Sequence, residues 1–145
     1  MVDYISLEKY AKDVSILFVE DDKEISKEME LLLQEIFSKI KIAFDGKEAL
    51  EQYKIFYEEN NSYPDIIITD IQMPNMNGIE LIKNIYKKNP TQKIIVLSAH
   101  NESEYLIELV NLGIYRFILK PMDYNNFLEV ASVSSSIYII LIVFL

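Results

Sequence analysis

A chain of 145 residues, half of them apolar, is long enough to bury the core of one domain. Its 14 basic against 23 acidic residues leave a formal charge of −9, which argues against direct nucleic-acid binding. With no cysteine there is neither a disulfide framework nor a thiolate metal site, and the charged N-terminal stretch MVDYISLEKYAKD lacks the apolar run of a signal peptide. A cytoplasmic location is the expectation.

Residues 1–13 read as a short N-terminal extension, with Leu7, Tyr10, Ala11 and Val14 at helical spacing behind Ser6 as an N-cap. Short β-branched runs then recur: SILFV (Ser15–Val19), IKIAF (Ile40–Phe44), DIIIT (Asp65–Thr69), KIIVLS (Lys93–Ser98) and RFILK (Arg116–Lys120). These predict five strands. Between them lie apolar stripes of amphipathic helices: Ile25, Met29, Leu32, Leu33 and Ile36; Ala49, Leu50, Tyr53 and Phe56; Leu81, Ile82 and Ile85; Leu106, Leu109 and Val110. A final helix is expected from about Tyr124, with Phe127, Val130 and Ala131 inward. Near-continuous apolar strands alternating with such helices indicate an α/β fold, a doubly wound five-stranded parallel sheet with helices on both faces, over residues 14–131.

Residues 132–145 form an apolar C-terminal tail. Ile137 to Leu145 is nine consecutive apolar residues, and the uncharged stretch from Val130 reaches sixteen, short of the roughly twenty that a spanning helix needs. Self-association through the tail is the expectation, and membrane association the weaker alternative.

In open sheets of this kind, ligands gather outside the carboxyl ends of the strands. The first strand ends in Glu20, Asp21 and Asp22, the third in Asp70, the fourth in Ser98 and the fifth in Lys120, followed by Pro121. The second ends at Phe44 and Asp45 and reads as a plain turn into a helix. Asp70 in this position serves as a helix cap, a metal ligand or a nucleophile. Three neighbouring carboxylates repel unless a cation sits among them, and Glu20, Asp21 and Asp70 offer only hard oxygens, which suits Mg2+. Lys120 adds a point positive charge and Ser98 a hydrogen-bond donor, both suited to phosphoryl oxygens. Asp70 is then the natural nucleophile, since carboxylates form aspartyl-phosphate intermediates.

These motifs together, VEDD after the first strand, DIQMPNMNG after the third, LSA after the fourth and LKP after the fifth, closely resemble the receiver domain of two-component response regulators. The resemblance implies a flavodoxin-like fold and a signalling domain rather than an enzyme, in which Asp70 accepts a phosphoryl group from a histidine kinase or phosphotransfer protein and slowly loses it. By the same resemblance Glu20, Asp21, Asp70 and the backbone carbonyl of Gln72 hold Mg2+. Ser98 and Lys120 contact the phosphate, Ser98 and Phe117 act as switch residues, and the Lys120–Pro121 bond is cis. The face of the fourth helix, fifth strand and fifth helix is implied as the switching surface and as a site of self-association.

Plainer readings stand beside several of these. Asp22 reads first as the N-cap of the first helix. Phe117 fits core filling as well as switching, and it lacks the hydroxyl of a tyrosine. His100 reads as a solvated loop residue, with a role alongside Gln72 in tuning hydrolysis as the alternative. Two other functions compete: a Mg2+-dependent aspartyl-phosphate phosphohydrolase, against which Gln72 stands where a second acid is usual, and a phosphate-independent module of receiver shape.

Overall fold

Successive residues of a strand point to opposite faces, and in this chain both sets are apolar. Ile16 and Phe18 go to one side with Ile66, Ile68 and Ile95, while Leu17 and Val19 go to the other with Ile67, Ile94 and Val96. All ten are buried, so the sheet is covered on both faces. The computed structural model describes residues 9, 12–35, 37–99 and 104–119. Most of the expected leading helix, together with His100, Lys120 and its bond to Pro121, the final helix and the tail, lies outside them.

Five parallel strands, β1 (Ser15–Val19), β2 (Lys39–Ala43), β3 (Ile66–Asp70), β4 (Lys93–Ser98) and β5 (Arg116–Leu119), form one sheet in the order β2-β1-β3-β4-β5. β1 and β4 match the sequence reading end to end, and β5 matches from Arg116, its expected last residue Lys120 lying outside the described residues; β2 begins one residue earlier than expected and β3 one later, which brings Asp70 into the strand itself. The β2 edge is flanked by Lys39 and Lys41, charges that discourage pairing with another chain.

Helices α1 (Lys23–Gln34), α2 (Gly46–Asn60), α3 (Gly78–Lys88) and α4 (Leu106–Leu112) connect the strands. Each of the first three starts on a side-chain cap: Asp22 accepts from the Glu24 and Ile25 amides, Asp45 from Glu48 and Asn77 from Glu80. In α1 to α3 the expected stripes face inward: Met29, Leu33, Ala49, Tyr53, Phe56, Leu81, Ile82 and Ile85 are buried and Ile25, Leu32 and Leu50 half-buried, while Ile36 lies outside the described residues. In α4 the pattern departs: Leu109 alone is buried, while Leu106 and Val110 are exposed. This short helix has no side-chain cap bond and is tied to α3 by the Lys83–Glu108 ion pair at 2.7 Å and by the Tyr86 hydroxyl donating to the Gly113 carbonyl at 3.4 Å.

One polar knot sits in the core at the end of the sheet away from the acids. The Tyr53 hydroxyl donates to Gln92 Oε1 at 2.8 Å, and Gln92 Nε2 donates to the Pro64 carbonyl at 2.9 Å. Burial pushes the Tyr53 hydroxyl well above the ordinary phenol range, so it is protonated and can donate at neutral pH. Tyr53→Phe should cost about 1 kcal/mol in urea denaturation, the usual net worth of such a bond, because Asn89 still donates to Gln92 Oε1.

Candidate functional site

The strand order reverses at β1, which has β2 on one side and β3 on the other. At such a point the loops leaving adjacent strands diverge and open a crevice at the carboxyl ends. Glu20 and Asp21 follow β1 there, and Asp70 closes β3. Glu20 is held by continuation of the ladder, its N–H donating to the Ala43 carbonyl at 3.1 Å. Carboxylate oxygens of Glu20, Asp21 and Asp70 all lie within 4.8 Å of one another. Glu20 is 3% and Asp70 7% exposed, whereas Asp21 faces solvent.

Three negative groups this close repel by about 1 kcal/mol per pair in water and by more where water is excluded. A cation resolves that repulsion. An all-oxygen set with two buried members and one open to water fits Mg2+, which prefers oxygen ligands and keeps several waters. Asp22, by contrast, is spent on capping α1.

Asp70 is positioned by the loop that follows it, residues 71–77. Its Oδ1 accepts the Ile71 amide at 2.8 Å, and the buried Ile71 side chain anchors the loop in the core. Asn75 takes the left-handed region at φ 65°, and the Met76 amide bonds back to the Pro74 carbonyl at 2.7 Å. Two glycines let the flanking helices close on this loop. The Gly46 amide donates to the Met76 carbonyl at 3.0 Å and the Gly78 amide to the Ile71 carbonyl at 2.7 Å. A Cβ on Gly46 would lie 2.5 Å from the Met76 oxygen, and one on Gly78 would fall within the van der Waals shell of the Asp70 carbonyl oxygen.

The end of β2 turns into α2 as read, and Asp45 does more there than turn. One of its oxygens caps α2 and the other accepts Asn75 Nδ2 at 2.7 Å, joining that turn to the Asp70 loop. The Glu48 amide first, and the Asn75 amide second, hold its carboxyl below the ordinary value of 3.8. A carboxyl lowered by folding adds stability that is present above its unfolded value and lost as the pH falls through its folded one. Asp45→Asn retains a capping oxygen but no charge. Its urea midpoint should lie modestly below that of the wild type at neutral pH, and the gap should narrow as the pH falls below the ordinary value of 3.8 and close once it has passed through the lowered folded one.

Ser98 ends β4 one residue past Leu97, the cross-strand partner of Asp70, and is fully buried. Its hydroxyl donates to the Ala99 carbonyl at 3.1 Å. Phe117, opposite Val96 in β5, is half-buried against the α2–α3 side of the core. Gln72 is exposed in the loop after Asp70. The acids are thus brought together, while Lys120 and His100 lie outside the described residues.

Comparison with known proteins agrees with this geometry. The model of the response regulator receiver domain matches residues 16–132, and the chain belongs to that family, whose members are signalling domains of two-component systems. It is 39% identical over 106 residues to the chemotaxis protein CheY of Thermotoga maritima, covering 70% of this chain and 83% of that protein. Against the response regulator ArlR of Staphylococcus saprophyticus it is 32% identical over 113 residues, covering 78% of this chain but 48% of the relative, so it spans about half of that protein's length. Among solved structures, the CheX–CheY–BeF3–Mg2+ complex from Borrelia burgdorferi superposes with a TM-score of 0.67 at 30% identity, covering 91% of this chain and 94% of that one. No helix among the described residues is long and apolar enough to cross a membrane.

Proposed function

We propose that this receiver domain takes a phosphoryl group onto Asp70 from a phosphohistidine of a histidine kinase or phosphotransfer protein, in a Mg2+-dependent reaction. The observation that carries the reading is the meeting of Glu20, Asp21 and Asp70 within 4.8 Å at the crevice of the sheet. An Asp70 carboxylate oxygen attacks phosphorus, the new O–P bond forms as the P–N bond to imidazole breaks, and the imidazole leaves. Glu20, Asp21, Asp70 and the backbone carbonyl of Gln72 would hold Mg2+, which when bound neutralises charge on the carboxylates and the phosphoryl oxygens. In the Borrelia complex CheY is found with Mg2+ and BeF3, a tetrahedral group on bonding to oxygen, as a phosphoryl group is.

The Ser98 hydroxyl, now on the Ala99 carbonyl, would turn to a phosphoryl oxygen, and Lys120 would pair with another. Those contacts exist only with phosphate present, so they shift the population toward a second arrangement of α4, β5 and the helix expected from about Tyr124. Phe117 moves with them. Ile107 at 74% and Val110 at 66% exposure give α4 an apolar outer face suited to a partner or a second copy, as the switching surface requires.

Incubation with acetyl phosphate and Mg2+, followed by peptide mapping, tests the reading. A labile phosphate on Asp70 supports it, and an unmodified protein rejects it. Asp21→Ala should weaken Mg2+ binding by about tenfold or more, the effect of removing one charge a few ångströms from a dication. Asp22→Asn, altered only at the α1 cap, should titrate like the wild type.

A further inference from the structure

Asn77–Gly78 is the only asparagine–glycine pair in the chain, and it lies between the Asp70 loop and α3. Such pairs are the ones most prone to deamidate, because glycine leaves the following nitrogen unhindered. The nitrogen of Gly78 loses its proton and attacks Cγ of Asn77. The new N–C bond closes a succinimide as the side-chain nitrogen leaves as ammonia. Water then opens the ring at either carbonyl, giving aspartate or isoaspartate. No oxidant or further reactant is needed.

The fold demands both residues for separate reasons. Position 77 needs a capping side chain, and Asn77 Oδ1 accepts the Glu80 amide at 2.9 Å. Position 78 needs glycine because an added Cβ there would overlap the Asp70 carbonyl oxygen. The vulnerable pair is therefore a by-product of building the site.

We propose that Asn77–Gly78 is a latent deamidation site that the native loop holds shut and that local opening of residues 71–78 releases. The attacking group is engaged, since the Gly78 N–H donates to the Ile71 carbonyl at 2.7 Å. The backbone is also set against reaction: Asn77 is extended at φ −76° and ψ 170°, and its carbonyl accepts the Leu81 amide at 3.0 Å. The peptide nitrogen cannot swing onto Cγ without breaking both bonds. The Glu80 hydrogen bond polarises the Asn77 amide and would by itself favour attack. It also clamps that amide over the helix, and the geometric restraint dominates. Isoaspartate adds one atom to the main chain beside Gly78, where the Asp70 carbonyl leaves no room, so a loop that has reacted does not close as before.

Asn61–Ser62 supplies the internal reference. Asn61 is exposed after α2, and asparagine–serine is the next most reactive kind of pair. The intact chain is incubated at mildly alkaline pH with and without denaturing urea, and the one-mass-unit gain is followed by peptide mapping. In urea Asn77 should react first. In the native protein the order should invert, with Asn77 slowed by about tenfold or more as local opening becomes limiting. Asn77 leading in both states at similar rates would overturn the protection, and an unreactive Asn77 in urea would overturn the site. Asn77→Ser, which keeps a capping oxygen, removes the signal and verifies its assignment.

Discussion

Asp70→Asn should abolish phosphoryl labelling by acetyl phosphate while leaving the fold intact and, without Mg2+, more stable. The amide keeps an oxygen for the Ile71 N–H that Asp70 Oδ1 accepts at 2.8 Å, so the loop retains its anchor. It has no nucleophilic carboxylate, so the O–P bond has nothing to form from. It also removes one of three negative groups within 4.8 Å. At 4 Å a like-charged pair costs about 1 kcal/mol in water and about 4 kcal/mol at an effective dielectric near 20. Relief of even the smaller figure corresponds to a rise of roughly 2–4 °C or more in thermal midpoint for a domain of this size. Added Mg2+ should then stabilise the wild type much more than the variant. Mass spectrometry and thermal melts with and without Mg2+ check both halves. Undiminished labelling would move the acceptor elsewhere, and an unchanged melt would mean that the acids do not strain the resting site.

Much of this architecture is legible in residue order, for a physical reason. A strand buried on both faces must be apolar throughout, and SILFV and KIIVLS mark their own ends within one residue. The acids are legible because each stands immediately after such a run. What pattern reading misses is set by contacts between distant loops. Asp45 looks like an ordinary turn residue, since its partner Asn75 is thirty positions away. Its DG step and the NG step at Asn77 are the only local sign that both helices open against the Asp70 loop. Leu106 and Val110 fit a buried stripe by spacing, yet α4 has little sheet to cover and leaves them in solvent. Periodicity reports which face is apolar, not whether anything lies against it.

Gly78→Ala should destabilise the domain by about 2 kcal/mol and weaken Mg2+ binding, and Gly113→Ala should separate the two causes a glycine substitution can have. Gly78 opens α3 with an ordinary negative φ, so alanine is conformationally acceptable there, and helix propensity by itself favours it by up to about 1 kcal/mol. Space decides against it. The added Cβ would overlap the Asp70 carbonyl oxygen and come within 3.0 Å of Ile71 Cα, and both are backbone atoms with no rotamer to give way. Relief requires moving the end of β3 or the start of α3, and either displaces the Asp70 carboxylate from Glu20 and Asp21. Gly113 is the converse case, with φ 77° and nothing within 4 Å of a Cβ. Its alanine variant costs about 1–2 kcal/mol from the left-handed backbone alone, far from the acids. Urea denaturation should therefore show comparable losses for the two variants, while Mg2+ titration shows a loss only for Gly78→Ala. Wild-type Mg2+ affinity in Gly78→Ala would mean that the contact between Gly78 and the Asp70 carbonyl does not set the geometry of the acids.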